Sequence, residues 1–122
     1  MANLVEVSAG GVLGSASWLP VAEAYSAADT ISTAQPIQFA FANGVYAPAG
    51  STIRILTASL KIDATAVISG ETSYTLHLYT VTPPSAQANN AAWTLASADL
   101  PSYAGSIALG TPVDLGAALY VK

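Results

Sequence analysis

The feature that most constrains this chain is a period-two alternation running from Ile53 to Ile62. Leu56, Ala58, Leu60 and Ile62 fall on one side of an extended backbone, with Thr57, Ser59 and Lys61 on the other. Successive side chains of a β-strand point to opposite faces, so this is the pattern of a strand with one face buried. The pattern recurs along the chain. Asn3 to Val7 sets Leu4 and Glu6 against Val5 and Val7, and Ile37 to Phe41 sets Ile37, Phe39 and Phe41 against Gln38 and Ala40. Ser73 to Val81 sets Tyr74, Leu76 and Leu78 against Thr75, His77 and Tyr79. Tyr103 to Leu109 and Ala117 to Val121 read as further strands.

Turn-forming residues separate these runs. Asn43-Gly44 predicts a tight turn, because both residue types tolerate positive φ. A polar stretch containing Gly70 follows Asp63, Pro83-Pro84 ends the strand before it, and Gly110-Thr111-Pro112 turns the next. Ile53 to Ile62 and Ser73 to Val81 are expected to be antiparallel neighbours. Ser85 to Ala98 reads as a long connection built around Asn89-Asn90-Ala91-Ala92-Trp93. Near the N-terminus, Ser8-Ala9-Gly10-Gly11 and Gly14 predict a flexible stretch ending at Trp18 and Pro20. The expected architecture is all-β: an antiparallel, jelly-roll-like β-sandwich over residues 19–122, preceded by an extended N-terminal strand or arm over residues 1–18. No internal repeat or second domain is visible.

Composition supports this class and removes several functions. The 122 residues suit one domain able to bury a real core without staples. No cysteine is present, which excludes disulfides, thiol chemistry and thiolate metal sites. Alanine is abundant but is interleaved with Ser, Thr, Gly and Pro rather than with the straight-chain residues that clothe a helix. Only 8% of residues are charged, and the net charge is −4. With Arg54, Lys61 and Lys122 as the only strong cations, no basic patch for nucleic acid can be assembled. A surface this poor in charge must expose small polar residues, be covered by partners, or both. The uncharged run from Ile31 to Ile53 fails as a membrane helix because Pro36, Gly44, Pro48 and Gly50 interrupt it. The opening MANLVEVSAGG lacks a basic region followed by an apolar run, so no secretory signal is expected and synthesis is expected in the cytoplasm.

A search for chemistry finds no catalytic, cofactor or metal constellation. His77 is the only histidine and has no second histidine or cysteine to work with, so it reads as a packing or interface residue. Glu6, Glu23, Asp29, Asp63, Glu71, Asp99 and Asp114 show no spacing that singles out an acid pair. Asp63, Asp99 and Asp114 fall at strand ends, where Asx-type turns are common. Gly10-Gly11 and Gly14 lack the lysine and strand-to-helix setting of a phosphate loop. The aromatics Trp18, Tyr25, Tyr46, Tyr74, Tyr79, Trp93, Tyr103 and Tyr120 suit a core or a subunit interface, or alternatively a sugar-stacking platform. Trp93 is expected to plug its loop onto the sandwich or onto a neighbouring subunit.

The C-terminal third carries several motifs in fixed order: His77-Leu78-Tyr79 leading to Pro83-Pro84-Ser85, then Asn90-Ala91-Ala92-Trp93, then Asp99, Tyr103, Gly105 and Ile107, then Leu109-Gly110-Thr111-Pro112-Val113-Asp114-Leu115-Gly116, and last Leu119-Tyr120-Val121. In this the chain resembles the head decoration (cement) proteins of tailed bacteriophages. Asn89 departs from the pattern, since such sequences tend to carry Asp there, and a salt link or cation served by that acid would be lost. The resemblance implies a jelly-roll-like homo-oligomer, dimer or trimer, that binds the major capsid protein on the outside of an icosahedral shell and bridges capsomers. It implies location on the virion, with no nucleic-acid, membrane or cofactor partner and no enzymatic step. The expected contacts are Leu4, Val5, Val7 and Trp18 of the arm, which could add a strand to a neighbour, with Trp93 and Tyr103. The alternatives are a carbohydrate-binding or adhesin-type module, and a phage tail or fibre component.

Overall fold

A computed structural model describes residues 3–8, 12–18, 26–41, 43–48, 50–62, 72–116 and 119–121. The expectations for Asp63, Gly70, Glu71 and the segment around Gly10-Gly11 lie outside the described residues. The strands are β1 (Asn3–Ser8), β2 (Val12–Trp18), β3 (Gln38–Phe41), β4 (Thr57–Ile62), β5 (Tyr74–Tyr79), β6 (Tyr103–Gly110), β7 (Val113–Asp114) and β8 (Leu119–Val121). A single 3-10 turn at Leu100–Ser102 is the only helical element among the described residues. The chain is all-β and every described strand pairing is antiparallel, as the periodicity predicts. No helix of the described residues is long and apolar enough to cross a membrane.

Six strands form one sheet in the order β3-β2-β1-β4-β8-β7, and β5 and β6 form a separate two-stranded ribbon. Of the strand or arm expected over residues 1–18, the described residues form strands. β1 lies inside the large sheet, with Val5 opposite Ala16 of β2 on one side and Leu60 of β4 on the other. The stretch expected to be flexible contains β2, and Gly14 is buried within that strand. A Cβ at Gly14 would stand 2.7 Å from Ile37 Cγ2 and from Phe39 Cε1. The missing side chain thus makes room for two large ones packed from β3 and its approach.

The expected pairing of the Ile53–Ile62 and Ser73–Val81 strands is also corrected. β4 lies between β1 and β8, so both of its edges are taken, while β5 pairs with β6 across the long connection. Asn43-Gly44 does form a turn, but only Gly44 takes positive φ, at 82°. Gly44 N–H donates to Phe41 O at 2.9 Å, Phe41 N–H to Val45 O at 2.8 Å, and Val45 N–H to Asn43 Oδ1 at 3.1 Å. This is the hydrogen bonding of a three-residue loop closed by a glycine bulge. It returns the chain along β3, where Tyr46 bridges to Ala40.

The core joins the two sheets. Val5, Leu60 and Ile62 from the large sheet meet Tyr74 and Leu109 from the ribbon, with Ile31, Ala58, Leu76 and Ile107 packed around them. The expected alternation holds only from Thr57 on, with exposed Thr57 and Lys61 against buried Leu60 and Ile62; Leu56, expected on the buried face, precedes the strand and is exposed. On the opposite face, Lys61 Nζ meets Glu6 Oε1 at 3.0 Å, a solvent-exposed pair that contributes at most about 1 kcal/mol.

Candidate functional site

The most elaborate cluster of side chains lies where residues 85–98 cross the ribbon. Local register creates it. Between Leu78 and Tyr79 the β5–β6 register shifts, so that Tyr103 rather than Ala104 stands opposite Tyr79. Gly105, with φ at 123°, flanks this irregularity and supplies a backbone conformation that other residues resist. The result groups His77, Tyr79 and Tyr103 on the ribbon face opposite its core-packed residues.

Trp93 lies on this group. Its indole stacks on the His77 ring with centroids 3.7 Å apart and planes 9° from parallel. Trp93 Nε1–H donates to the Tyr79 hydroxyl at 3.1 Å, and His77 Nδ1 lies 3.1 Å from the Tyr103 hydroxyl. The Tyr79 and Tyr103 rings meet at 5.4 Å and a tilt of 58°. The tilted tyrosine pair suits the ring quadrupoles, and Trp93 Nε1 and His77 Nδ1 each have a hydroxyl partner. Burial pushes the His77 imidazole below its ordinary pKa, because the charged form loses hydration there.

Two further sets of contacts hold the crossing segment, which we term the strap. At its foot, Asp99 is fully buried. Ser85 N–H donates to Asp99 Oδ1 at 2.9 Å, and the Ser85 hydroxyl donates to Oδ2. The Asp99 carbonyl accepts from Ser102 N–H at 3.0 Å and Tyr103 N–H at 3.1 Å, starting the 3-10 turn that leads into β6. Along its length the strap pairs with residues 28–30. Thr30 N–H donates to Ala91 O at 2.9 Å, Asn90 N–H to Thr30 O at 2.7 Å, and Trp93 N–H to Ala28 O at 2.8 Å. Ala28, Ala86 and Asn90 are the non-glycine residues with positive φ among the described residues, at 67°, 48° and 60°. All three lie in the strap or in its pairing partner, so tertiary contacts there hold a backbone that local preference disfavours.

The six expected contact residues separate into different environments. Val5 is a core residue, 6% exposed, and not an arm contact. Leu4 is half-buried in β1, opposite Ser17 and Lys61. Val7 and Trp18 have backbones in β1 and β2, but their side chains lie outside the described residues. Trp93 and Tyr103 come together in the aromatic cluster, the strap plugging onto its own ribbon as one of the two expected outcomes. Of the acids, Asp114 forms the expected Asx turn, accepting from Gly116 N–H at 2.9 Å, whereas Asp99 turns the chain from a buried position. Among the described residues, no three His, Asp or Glu side chains gather in a metal-binding arrangement.

Sequence reasoning missed a second feature, the apolar edge beside β3. Leu13, Ala40 and Tyr46 stand in register across β2, β3 and the returning chain, forming one row on one face. Leu13 and Tyr46 are 52% and 58% exposed, and Phe41 and Val45, the adjacent pair on the opposite face of the same edge, are also exposed. The alternation within VLGSASW carried a signal for this, hidden by the weight given to Gly14 and the glycines before it. The chain matches no family model, no curated protein and no solved structure.

Proposed function

We propose that this protein is a virion structural component that binds the outside of an icosahedral phage capsid and steadies the head by bridging capsomers. In this reading it acts by binding alone, as a homo-oligomer on the major capsid protein, with the large sheet and the ribbon as the layers of a jelly-roll-like sandwich. The observation that carries the reading is the apolar β3 edge on a chain with so little charge. Tyr46 and Val45 are each 58% exposed there, and Leu56 is exposed to the same extent. A soluble monomer ordinarily dilutes such groups among charges of both signs. A shell component instead covers them with neighbours, and repetition by symmetry turns weak contacts into strong avidity. The ordered C-terminal motifs support the same reading.

Mass spectrometry of purified virions made by the genome that encodes this chain tests it, with heads and tails analysed separately. Recovery in the head fraction at a copy number comparable to that of capsomers is expected. Absence from virions, or recovery with tails alone, overturns it. The carbohydrate-binding alternative draws on the Trp93 cluster, and there the His77 ring already covers one face of the indole.

A further inference from the structure

We propose that His77 is a proton-operated latch for the strap: the neutral imidazole holds Trp93 against the ribbon, and protonation loosens residues 85–98. This goes beyond the capsid-binding reading and does not depend on it.

The geometry places one titratable ring under the only described aromatic side chain of the strap. His77 and Trp93 are face to face at 3.7 Å, so a charge on the imidazole would have the indole in place of water on one ring face. Tyr103 from β6 faces its Nδ1, at 3.1 Å. In the neutral ring Nδ1 can accept the Tyr103 hydroxyl proton; in the charged ring both nitrogens are donors and that hydrogen bond must reverse. Tyr79, on β5 itself, engages Trp93 through its hydroxyl. The carboxylate at the foot of the strap, Asp99, is committed to Ser85 through both oxygens. Among the described residues no ion pair involves His77; Glu6 and Lys61 pair on the large sheet. No carboxylate is thus shown to compensate a proton gained at the ring. Burial favours the neutral form, in agreement with this geometry.

The sign follows from linkage. A histidine whose pKa is lower with the strap closed than open stabilises the closed state fully above its open-state value of about 6.5. That stability declines as pH falls through the open-state value toward the closed-state one. An imidazolium is also attracted to the indole face, which works in the opposite direction, so the measurement must read the balance.

His77 is the only histidine, so its ring resonances report its titration without ambiguity. The amides of Thr30, Asn90 and Trp93, which bond between the strap and residues 28–30, report opening, and amides of β1 and β4 serve as internal reference. NMR on the full chain between about pH 7.5 and about pH 5.5 stays above the ordinary carboxylate range. We expect His77 to titrate below about 6.5, with protection of the three strap amides falling relative to the reference by at most about tenfold per pH unit. The His77→Phe variant keeps a stacking ring without a proton, and His77→Gln keeps a neutral polar group; each removes the pH response. A wild-type His77 that titrates at or above its ordinary value overturns the proposal. So does strap protection that does not change with pH in the wild type, or an unaltered response in whichever variant folds.

Discussion

The large sheet and the ribbon are built from similar strands but held by different means. In the large sheet, β1 and β4 each have partners on both sides, and their alternate residues enter the core. Backbone ladders and period-two burial suffice to fix them, because a slip of one residue would turn Val5, Leu60 and Ile62 out to water. The ribbon has only two strands, and a two-stranded sheet is marginal by itself. It depends on what is laid over it. Its inner face joins the core through Tyr74 and Leu109, and its other face carries the strap through Trp93. Where ladders are few, specific side-chain contacts substitute for them, and the stability of that region becomes local.

The largest test of this contrast is Ile62→Ala. Ile62 is fully buried where the sheets meet, and its truncation should cost about 2–5 kcal/mol of global stability. Denaturant unfolding followed by tryptophan fluorescence and by far-UV circular dichroism should shift together. Separated transitions would break the picture of a shared core. A smaller loss, about 2–3 kcal/mol, is expected for Asp99→Ala, which leaves the Ser85 N–H and hydroxyl without their buried acceptor. Hydrogen exchange should show the damage concentrated in residues 85–103, with β1 and β4 amides changed least. Trp93→Ala comes last, at about 1–2 kcal/mol, because the ring is only partly buried and loses one stack and one hydrogen bond. It should raise exchange at Thr30 and Asn90 while leaving the large sheet protected. Equal loss of protection in β1 would show that strap and sheet open as one unit.

Much of the fold was legible because period-two alternation is a local signal. The cores of β4, β5 and β6 were visible in the sequence, as was the end of β5 before Pro83-Pro84. β2 was not, because Gly14 reads as part of a flexible stretch until Ile37 and Phe39 are seen to fill its space. Strand partners were misread for a related reason. The proximity of β4 and β5 in sequence favoured pairing them, but the edges of β4 were taken by β1 and β8. In the candidate site, Trp93 was identified as the plug of its loop, since a tryptophan in a long polar connection has no core of its own. Its actual seat on His77 is a contact between distant segments that no local pattern encodes, and the register shift beside Gly105 adds Tyr103 to the same face. Asp99 was read as a strand-end residue of an Asx-type turn, but only its backbone carbonyl makes the turn; its carboxylate is buried on Ser85, and that burial is a property of the strap folded over it.

By itself the sequence determined an all-β chain, with strand faces set by alternation, breaks set by proline and glycine, and a surface short of charge. Tertiary structure alone decided which strands pair, that β1 lies inside the sheet rather than reaching outward, and that His77, Tyr79, Trp93 and Tyr103 form one cluster. The division has a physical basis. Alternation and turn preference act between residues a few positions apart, whereas strand order and ring stacking depend on which distant segments compete successfully for the same edge or face.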